Sequence, residues 1–277
     1  MLNSTALEVA VGLVFCYCAV SLIVSSINEA IASVLGLRAA TLLTGVKSLL
    51  NDPEFDGLAR DVYNHALVNP RSGGKVQKEE DLSRKPSYIP SNHFANALID
   101  VLQRTPAAAV QLDEAIAAIQ DPQPRQLLLG MHARAAGDVE MLRHELAGWF
   151  DNGMERVAGE YKRRTQLNCF LIGLTIAALF NIDSFHLFKT LWENPAFAAA
   201  LTAPPSQNVT NAFQGLQTLP IGWITFPNEL TPVDWTLKGA GWLVTASSVL
   251  FGAPFWFDLL QNFAQIRGTG RKPNVPS

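Results

Sequence analysis

From Asp138 to Phe180 the chain runs without a proline: DVEMLRHELAGWFDNGMERVAGEYKRRTQLNCFLIGLTIAALF. A stretch of that length with no breaker predicts a single helix, roughly 65 Å long at a rise of about 1.5 Å per residue. Its first half is amphipathic, its middle carries Lys162, Arg163 and Arg164, and its second half is apolar. A soluble face, a cationic collar and then an apolar segment is the order expected of a helix that leaves water and enters a bilayer. The fold class this predicts is an all-α membrane protein. It has about three transmembrane helices, with a helical cytoplasmic domain inserted between spans one and two.

Composition agrees with that reading. Of the 277 residues, 48% are hydrophobic and only 16% charged, richer in apolar residues than most soluble domains. Charge is also unevenly placed. Leu7–Val24, Leu167–Ile182 and Ala240–Phe257 are nearly free of it, whereas Asn51–Arg143 is polar and mixed in sign. A hydrocarbon core of about 30 Å takes roughly 20 apolar residues, so the first and third segments suffice. The second is short, and the basic side chains at its end can snorkel to extend it. The expected organisation is then a first span continuing as a cytoplasmic helix over 1–50 and a cytoplasmic helical domain over 51–137. A long cytoplasmic helix becoming span two covers 138–182, an outer loop 183–238, and span three with a cytoplasmic tail 239–277.

Sixteen of the 21 Lys and Arg residues lie between Arg38 and Arg164; Lys189 and Lys238 fall between spans two and three, and Arg267, Arg271 and Lys272 follow span three. The bias of basic residues toward the cytoplasm places the N-terminus outside and the C-terminus in the cytoplasm. Met1–Ala6 has no basic cluster of the signal-peptide kind, so span one reads as a retained anchor.

Leu7–Leu50 reads as one continuous helix ended by Asn51-Asp52-Pro53. Beyond the bilayer Ile27, Ile31, Val34, Leu42, Val46 and Leu49 keep helical spacing. In the long helix Val139, Leu142, Leu146, Trp149, Phe150, Met154, Val157 and Tyr161 make a matching stripe. The two stripes either pair with each other as a stalk or pack on the intervening helices. Those helices are expected over Glu54–Asn69, Asn92–Gln103, Ala107–Gln120 and Pro122–Ala136, with Ser91, Thr105-Pro106 and Asp121-Pro122 as starts. Arg71–Lys85 has no apolar periodicity and reads as a mobile loop. The outer loop opens with a helix carrying Phe185, Phe188, Leu191 and Trp192; Trp192, Trp223 and Trp235 suit a headgroup belt. Asn208-Val209-Thr210 matches a glycosylation acceptor, a pattern short enough to arise by chance.

Span three carries Gly241, Thr245, Ser248 and Gly252 at spacings of three and four. Small residues at that spacing let helix backbones approach closely in lipid. Span one has Gly12, Cys16 and Ala19, and span two Cys169, Gly173 and Ala177. Packing within one chain and pairing of copies in a homo-oligomer use the same residues, so the stripe leaves both open.

Catalytic motifs are not found. His144-Glu145 has no second histidine four residues after the first, and RSGGKV lacks the spacing and the Ser/Thr of a phosphate loop. His65, His93, His132 and His144 show no ligand spacing and read as solvated or capping residues. Cys16, Cys18 and Cys169 lie inside spans, where they read as small apolar residues. No catalytic, cofactor or metal set is assigned. Between Ser25 and Gln166 there are 16 basic and 18 acidic residues, which argues against a nucleic-acid surface. One polar constellation stands out. Placing the inner bilayer edge near Ser25, Gln166 and Phe257 puts Asn28, Glu29, Arg163, Arg164 and Asp258 at one depth, as a structural charged collar. Carboxylates near an apolar boundary are costly unless paired, and arginine pairs them bidentately. The other reading is ordinary interfacial charge facing headgroups.

Four stretches, SSINEAIASVLGLRAATL (25–42), PSYIPSNHFANALIDVL (86–102), WFDNGMERVAGEYKRRTQ (149–166) and GAPFWFDLLQNFAQIRGTGRKP (252–273), resemble a widespread uncharacterised family of bacterial helical membrane proteins. Glu160 departs from it where an aromatic is expected. The resemblance implies a bacterial inner-membrane protein with these stretches on the cytoplasmic side, and it supplies no activity. The function expected is a non-enzymatic membrane anchor or scaffold that docks a cytoplasmic protein partner. The competing class is an oligomeric channel or membrane-permeabilising effector.

Overall fold

The computed structural model describes residues 5–71, 73–82, 84–103, 112–193, 221–223 and 230–268. Every regular element among them is helical. In chain order these are α1 (Thr5–Val34), α2 (Leu37–Leu49), α3 (Leu58–Tyr63), α4 (Ser91–Gln103), α5 (Leu112–Ala117), α6 (Pro122–Ala135), α7 (Val139–Leu179), α8 (Ser184–Glu193), α9 (Pro232–Ser248) and α10 (Ala253–Gly268). Short 3₁₀ turns occupy Glu79–Asp81 and Val249–Phe251. The chain forms two compact units, residues 32–163 and residues 1–31 with 164–277.

The proline-free stretch forms one helix, α7, of 41 residues. The expected continuous helix Leu7–Leu50 is corrected. It breaks at Leu35-Gly36, where Gly36 takes φ 60° in the left-handed region that glycine enters without strain. Ile27 and Ile31 consequently stay 38% and 40% exposed and Val34 85%, outside any stalk.

In the unit of residues 32–163, both remaining halves of the stripes are used. Leu43, Val46 and Leu50 from α2, and Leu142, Leu146 and Phe150 from α7, enter one core with Phe94, Leu98 and Leu102 of α4 and Leu128 and Met131 of α6. Phe94 stacks on Phe150 at 4.3 Å and meets Trp149 edge-on. The α2–α7 contact is reciprocal: Gly45 lies against Val157 and Met154, and Gly153 lies against Leu49. Stalk pairing and packing on the small helices therefore both occur, because each helix has two apolar flanks. Val139, at the end of its stripe, is 47% exposed.

The expected helix Glu54–Asn69 shortens to α3 for a local reason. The Asp52 carboxylate accepts hydrogen bonds from the backbone N–H groups of Asp56, Gly57 and Ala59, each at 3.0 Å, which holds the preceding residues in a turn. At α6 the expected start is observed, Asp121 accepting from Gln123 N–H at 2.8 Å with Pro122 behind it. Thr105-Pro106 and Asn208-Val209-Thr210 lie outside the described residues.

The mobile-loop reading of Arg71–Lys85 is also corrected. Val76 and Leu82 are buried in the core, and the Asn64 side chain bonds both backbone groups of Val76 at 2.8 and 2.9 Å. Glu79 receives Lys47 at 2.8 Å and Lys85 at 3.0 Å. Two isolated apolar residues in a polar run carry no period, so the sequence pattern concealed them.

The second unit holds its own apolar cluster, from Val9–Val24 of α1, Ala177, Ile182, Leu187 and Leu191, Val249 and Leu260. The α1 region Ala6–Val34 is long and apolar enough to cross a membrane. Among the described residues up to three segments are so if each bent pair, α7 with α8 (54°) and Pro232–Phe251 with Ala253–Phe263 (92°), counts as one span. The expected third span, Ala240–Phe257, is corrected: the helix starts eight residues earlier at Pro232 and turns through 92° at Gly252, φ 81°.

Candidate functional site

The polar chemistry of this unit converges where α7 gives way to α8, at Asn181-Ile182-Asp183-Ser184. Asn181 has φ 47°, a left-handed conformation that asparagine tolerates better than most residues, and it ends α7. Asp183 starts α8 by accepting from the N–H groups of Phe185 at 2.9 Å and His186 at 3.3 Å. The Asp183 carboxylate lies in contact with the bare Cα of Gly241, in space that any Cβ would fill. The Asn181 amide donates to the Gly222 carbonyl at 2.7 Å and accepts from Lys238 Nζ at 3.2 Å and Trp242 Nε1 at 3.3 Å. Above it Trp223, Trp235 and Trp242 touch one another at 5.8–6.1 Å, and Lys238 Nζ lies 5.5 Å from the Trp223 ring centre.

Below that cap the hydroxyls form a directed chain. Tyr17 Oη donates to Ser184 Oγ at 3.0 Å, Ser184 pairs with Thr245 Oγ1 at 2.7 Å, and Thr245 reaches the Ile182 carbonyl at 2.7 Å, with the Gly241 carbonyl at 3.1 Å. Each hydroxyl has one proton. Thr245 donates its proton to a carbonyl, so Ser184 must donate to Thr245. The chain ends on a backbone acceptor and cannot pass a proton onward. Ser248 Oγ donates to the Thr245 carbonyl at 2.7 Å, and Trp256 Nε1 to the Ser248 carbonyl at 2.8 Å. Among the described residues no carboxylate or imidazole is bonded to these hydroxyls, so none of the bonds drawn here activates a nucleophile.

Gly241, Thr245 and Ser248 are thus buried in this node, Thr245 fully, while Gly252 forms the elbow after α9. Gly173 meets Val249 of the turn after α9, and Gly12 meets Leu191 of α8. Cys16 and Cys18 are buried free thiols, Cys169 half-buried.

The charged-collar residues are placed as follows. Asn28 is buried and Glu29 exposed on α1; Arg163 and Arg164 are exposed on α7 and Asp258 on α10. No ion pair joins Arg164 to Asp258 among the described residues. Because of the Gly252 elbow, Asp258 does not continue the axis of α9.

In the unit of residues 32–163, His65, expected to be solvated or capping, is buried and bonds the backbone of the turn after α3. Its Nε2 lies 3.2 Å from Asp100 Oδ2 and its Nδ1 accepts from Leu67 N–H at 3.3 Å. Hydrogen bonds from Lys47 and Lys85 hold the Glu79 carboxyl below its ordinary range. Burial, and secondarily the charge of Glu79, push the Tyr63 phenol up; its hydroxyl has no partner among the described residues. A polar recess of about 340 Å³ is lined by Arg60, Asp61, Asn64, Gly74, Val76, Gln77 and Val101. Arg60 spends Nε and Nη2 on Asp61 at 3.0 and 2.9 Å, which neutralises the one cation among the described lining residues. Among the described residues no three His, Cys, Asp or Glu side chains converge as metal ligands.

Sequence reasoning missed Asn181, Asp183 and Ser184. A readable signal existed, an Asn able to close one helix followed by an Asp able to open the next. No family model, curated protein or solved structure matches the chain.

Proposed function

We propose that the chain is a non-enzymatic anchor of a bacterial inner membrane, whose helical unit of residues 32–163 faces the cytoplasm and docks a protein partner. The observation that carries this reading is the closure of the Tyr17–Ser184–Thr245 chain on the Ile182 carbonyl. A conduit needs polar groups that face water along a span. Here the hydroxyls of Tyr17, Ser184 and Thr245 are turned on one another, Ser26 and Thr175 return theirs to the helix carbonyls of Leu22 and Leu171 at 2.8 Å, and Ser21 Oγ is buried away from water with no partner among the described residues. Helix-sealing hydroxyls suit a bundle held shut in lipid.

The other half of the reading is a unit with a complete core of its own and large side chains left for a partner. Tyr88, between Pro86 and Pro90, is 76% exposed while the adjacent Ile89 is buried. An exposed tyrosine is the kind of residue that anchors protein interfaces. The three stretches within or overlapping this unit that resemble the bacterial membrane family (25–42, 86–102 and 149–166) support its cytoplasmic placement.

Topology and docking can be tested together. A reporter fused after Ser277 is expected to be active only in its cytoplasmic form, and Gln207→Cys to react with an impermeant thiol reagent in intact spheroplasts. A photo-crosslinking residue at position 88 should give a discrete protein adduct in cells. Labelling of position 207 only after lysis, or crosslinks at position 88 to lipid alone, would overturn the reading.

A further inference from the structure

The right-angled elbow at Gly252 leaves a recess beside it. Its volume is about 380 Å³; Tyr17, Leu243, Val244, Phe251 and Trp256 wall it, and Ser247 stands at the rim. That size, with apolar and aromatic walls, is characteristic of small-molecule sites. The surface around the mouth is apolar as well. Leu243, Val244, Leu250, Phe251 and Phe255 are exposed, and the rings of Phe251, Phe255 and Trp256 pack on one another at 5.0–5.8 Å.

The hydrogen bonds at the elbow decide what can fill the recess. Tyr17 Oη donates to Ser184, Ser248 Oγ to the Thr245 carbonyl, and Trp256 Nε1 to the Ser248 carbonyl, so these donors are all engaged within the protein. At the break itself Gly252 N–H donates to the Val249 carbonyl at 2.9 Å, and Pro254, in the first turn of α10, has no N–H to satisfy. A helix break is tolerated in hydrocarbon where its freed backbone groups find partners in the protein. Ser247 at the rim can return its hydroxyl to its own helix, as Ser26 and Thr175 do. An occupant therefore needs no hydrogen bonds and gains by covering rings and aliphatic carbons. That describes an acyl chain; a peptide would bury backbone groups unpaired.

The place of the elbow supplies the source. Pro232–Phe251 and Ala253–Phe263 are long and apolar enough to cross a membrane only together, as one bent span. On the membrane reading the bend falls within that span, and the recess opens at the depth of the acyl chains.

We propose that the recess at the Gly252 elbow is a lipid site, which retains one acyl chain of a bilayer phospholipid against the elbow rings. The site rests on the membrane reading and adds to it a bound lipid and the side chains that hold it.

Native mass spectrometry of the full-length protein, purified in mild detergent and washed until the bulk lipid is gone, tests the site. The protein is expected to keep a single phospholipid. Ser247→Phe places a ring in the recess from an exposed position and should lower that occupancy about tenfold, because overpacking a filled space is costly. Leu237→Phe, also at an exposed position of α9 but away from the recess, should keep the lipid.

A protein that keeps no phospholipid, or keeps it undiminished in Ser247→Phe, overturns the site. So does a dimer that dissociates on Ser247→Phe, because a second copy then fills the recess. Release of the protein from membranes by alkaline carbonate would instead overturn the membrane reading beneath the site, so the two failures are distinguishable. Should Ser247→Phe not fold, the unaltered chain in bilayers of a phosphatidylcholine with a mid-chain diazirine answers the same question. Crosslinks should concentrate on Val244, Phe251 and Trp256 over Leu171 and Phe188, which are also exposed. Even labelling of the two groups would overturn the site.

Discussion

Thr245→Val removes one hydroxyl and almost no volume, so it tests the node without opening a cavity. Thr245 is fully buried and serves the Ile182 carbonyl and Ser184 Oγ, both at 2.7 Å, besides the Gly241 carbonyl of its own helix at 3.1 Å, which also accepts within that helix. The variant leaves the Ile182 carbonyl with no hydroxyl donor and the Ser184 proton with no acceptor. Stranding a buried polar group costs about 1–3 kcal/mol in water-soluble proteins, and interhelical bonds in lipid average nearer ~0.6 kcal/mol. Two stranded partners therefore put the expected loss at about 1–3 kcal/mol. Tyr17→Phe removes only the terminal donor, leaves Ser184 its bond to Thr245, and should cost about 0.5–1 kcal/mol. Unfolding in mixed micelles by a titrated denaturing detergent measures both. The double variant Ser184→Ala with Thr245→Val carries the decisive reading, because residues in one network couple by more than ~0.5 kcal/mol. Losses that simply add, or a Tyr17→Phe cost larger than that of Thr245→Val, would refute the directed chain.

Three further outcomes are expected in the unit of residues 32–163. Gly45→Ala should cost about 1 kcal/mol, since a Cβ would meet Val157 Cγ2 at 2.8 Å on a β-branched side chain that is stiff in a helix, and Gly45→Val should cost about 1–3 kcal/mol in thermal unfolding through further overpacking. Asp52→Ala strips partners from three backbone N–H groups and should lower stability by about 1–3 kcal/mol while leaving α2 and α7 helical by circular dichroism. The Glu79 carboxyl is depressed in the folded state, so its contribution is complete above the unfolded value of 4.5 and is lost as pH falls through the folded value. Its side chain is 40% exposed, which limits the effect to under about 1 kcal/mol. Glu79→Gln should therefore flatten the stability profile below pH 4.5 and leave no acid-dependent step to Lys47 and Lys85; an unchanged profile contradicts this.

Helix type and rough placement were readable because long proline-free runs and apolar stripes average over many residues. The limits of α7, the Asp121 cap of α6 and the buried stripe residues Leu142, Leu146 and Phe150 belong to this class. What stayed hidden depended on single side chains acting at a distance. Gly36 sits in a run whose composition would continue a helix, and its positive φ ends it; at Gly252 the positive φ is joined by Pro254, a breaker suited to the first turn of the next helix. Asp52 shortened α3 by bonding four to seven residues ahead. Val76 and Leu82 fix the Arg71–Lys85 segment with no repeating pattern to announce them. The node was half legible. Gly241, Thr245 and Ser248 stood out by spacing, but Ser184 and Asp183 lie some sixty residues away along the chain and are joined to α9 only by folding.

The sealed bundle is tested most directly by ion flux through liposomes carrying the pure, full-length protein. With the hydroxyls of Tyr17, Ser184 and Thr245 closed on one another and on a backbone carbonyl, the account predicts flux equal to protein-free lipid controls. Single-channel currents that change when Thr245 or Ser248 is replaced by leucine would contradict it and make the chain a conduit.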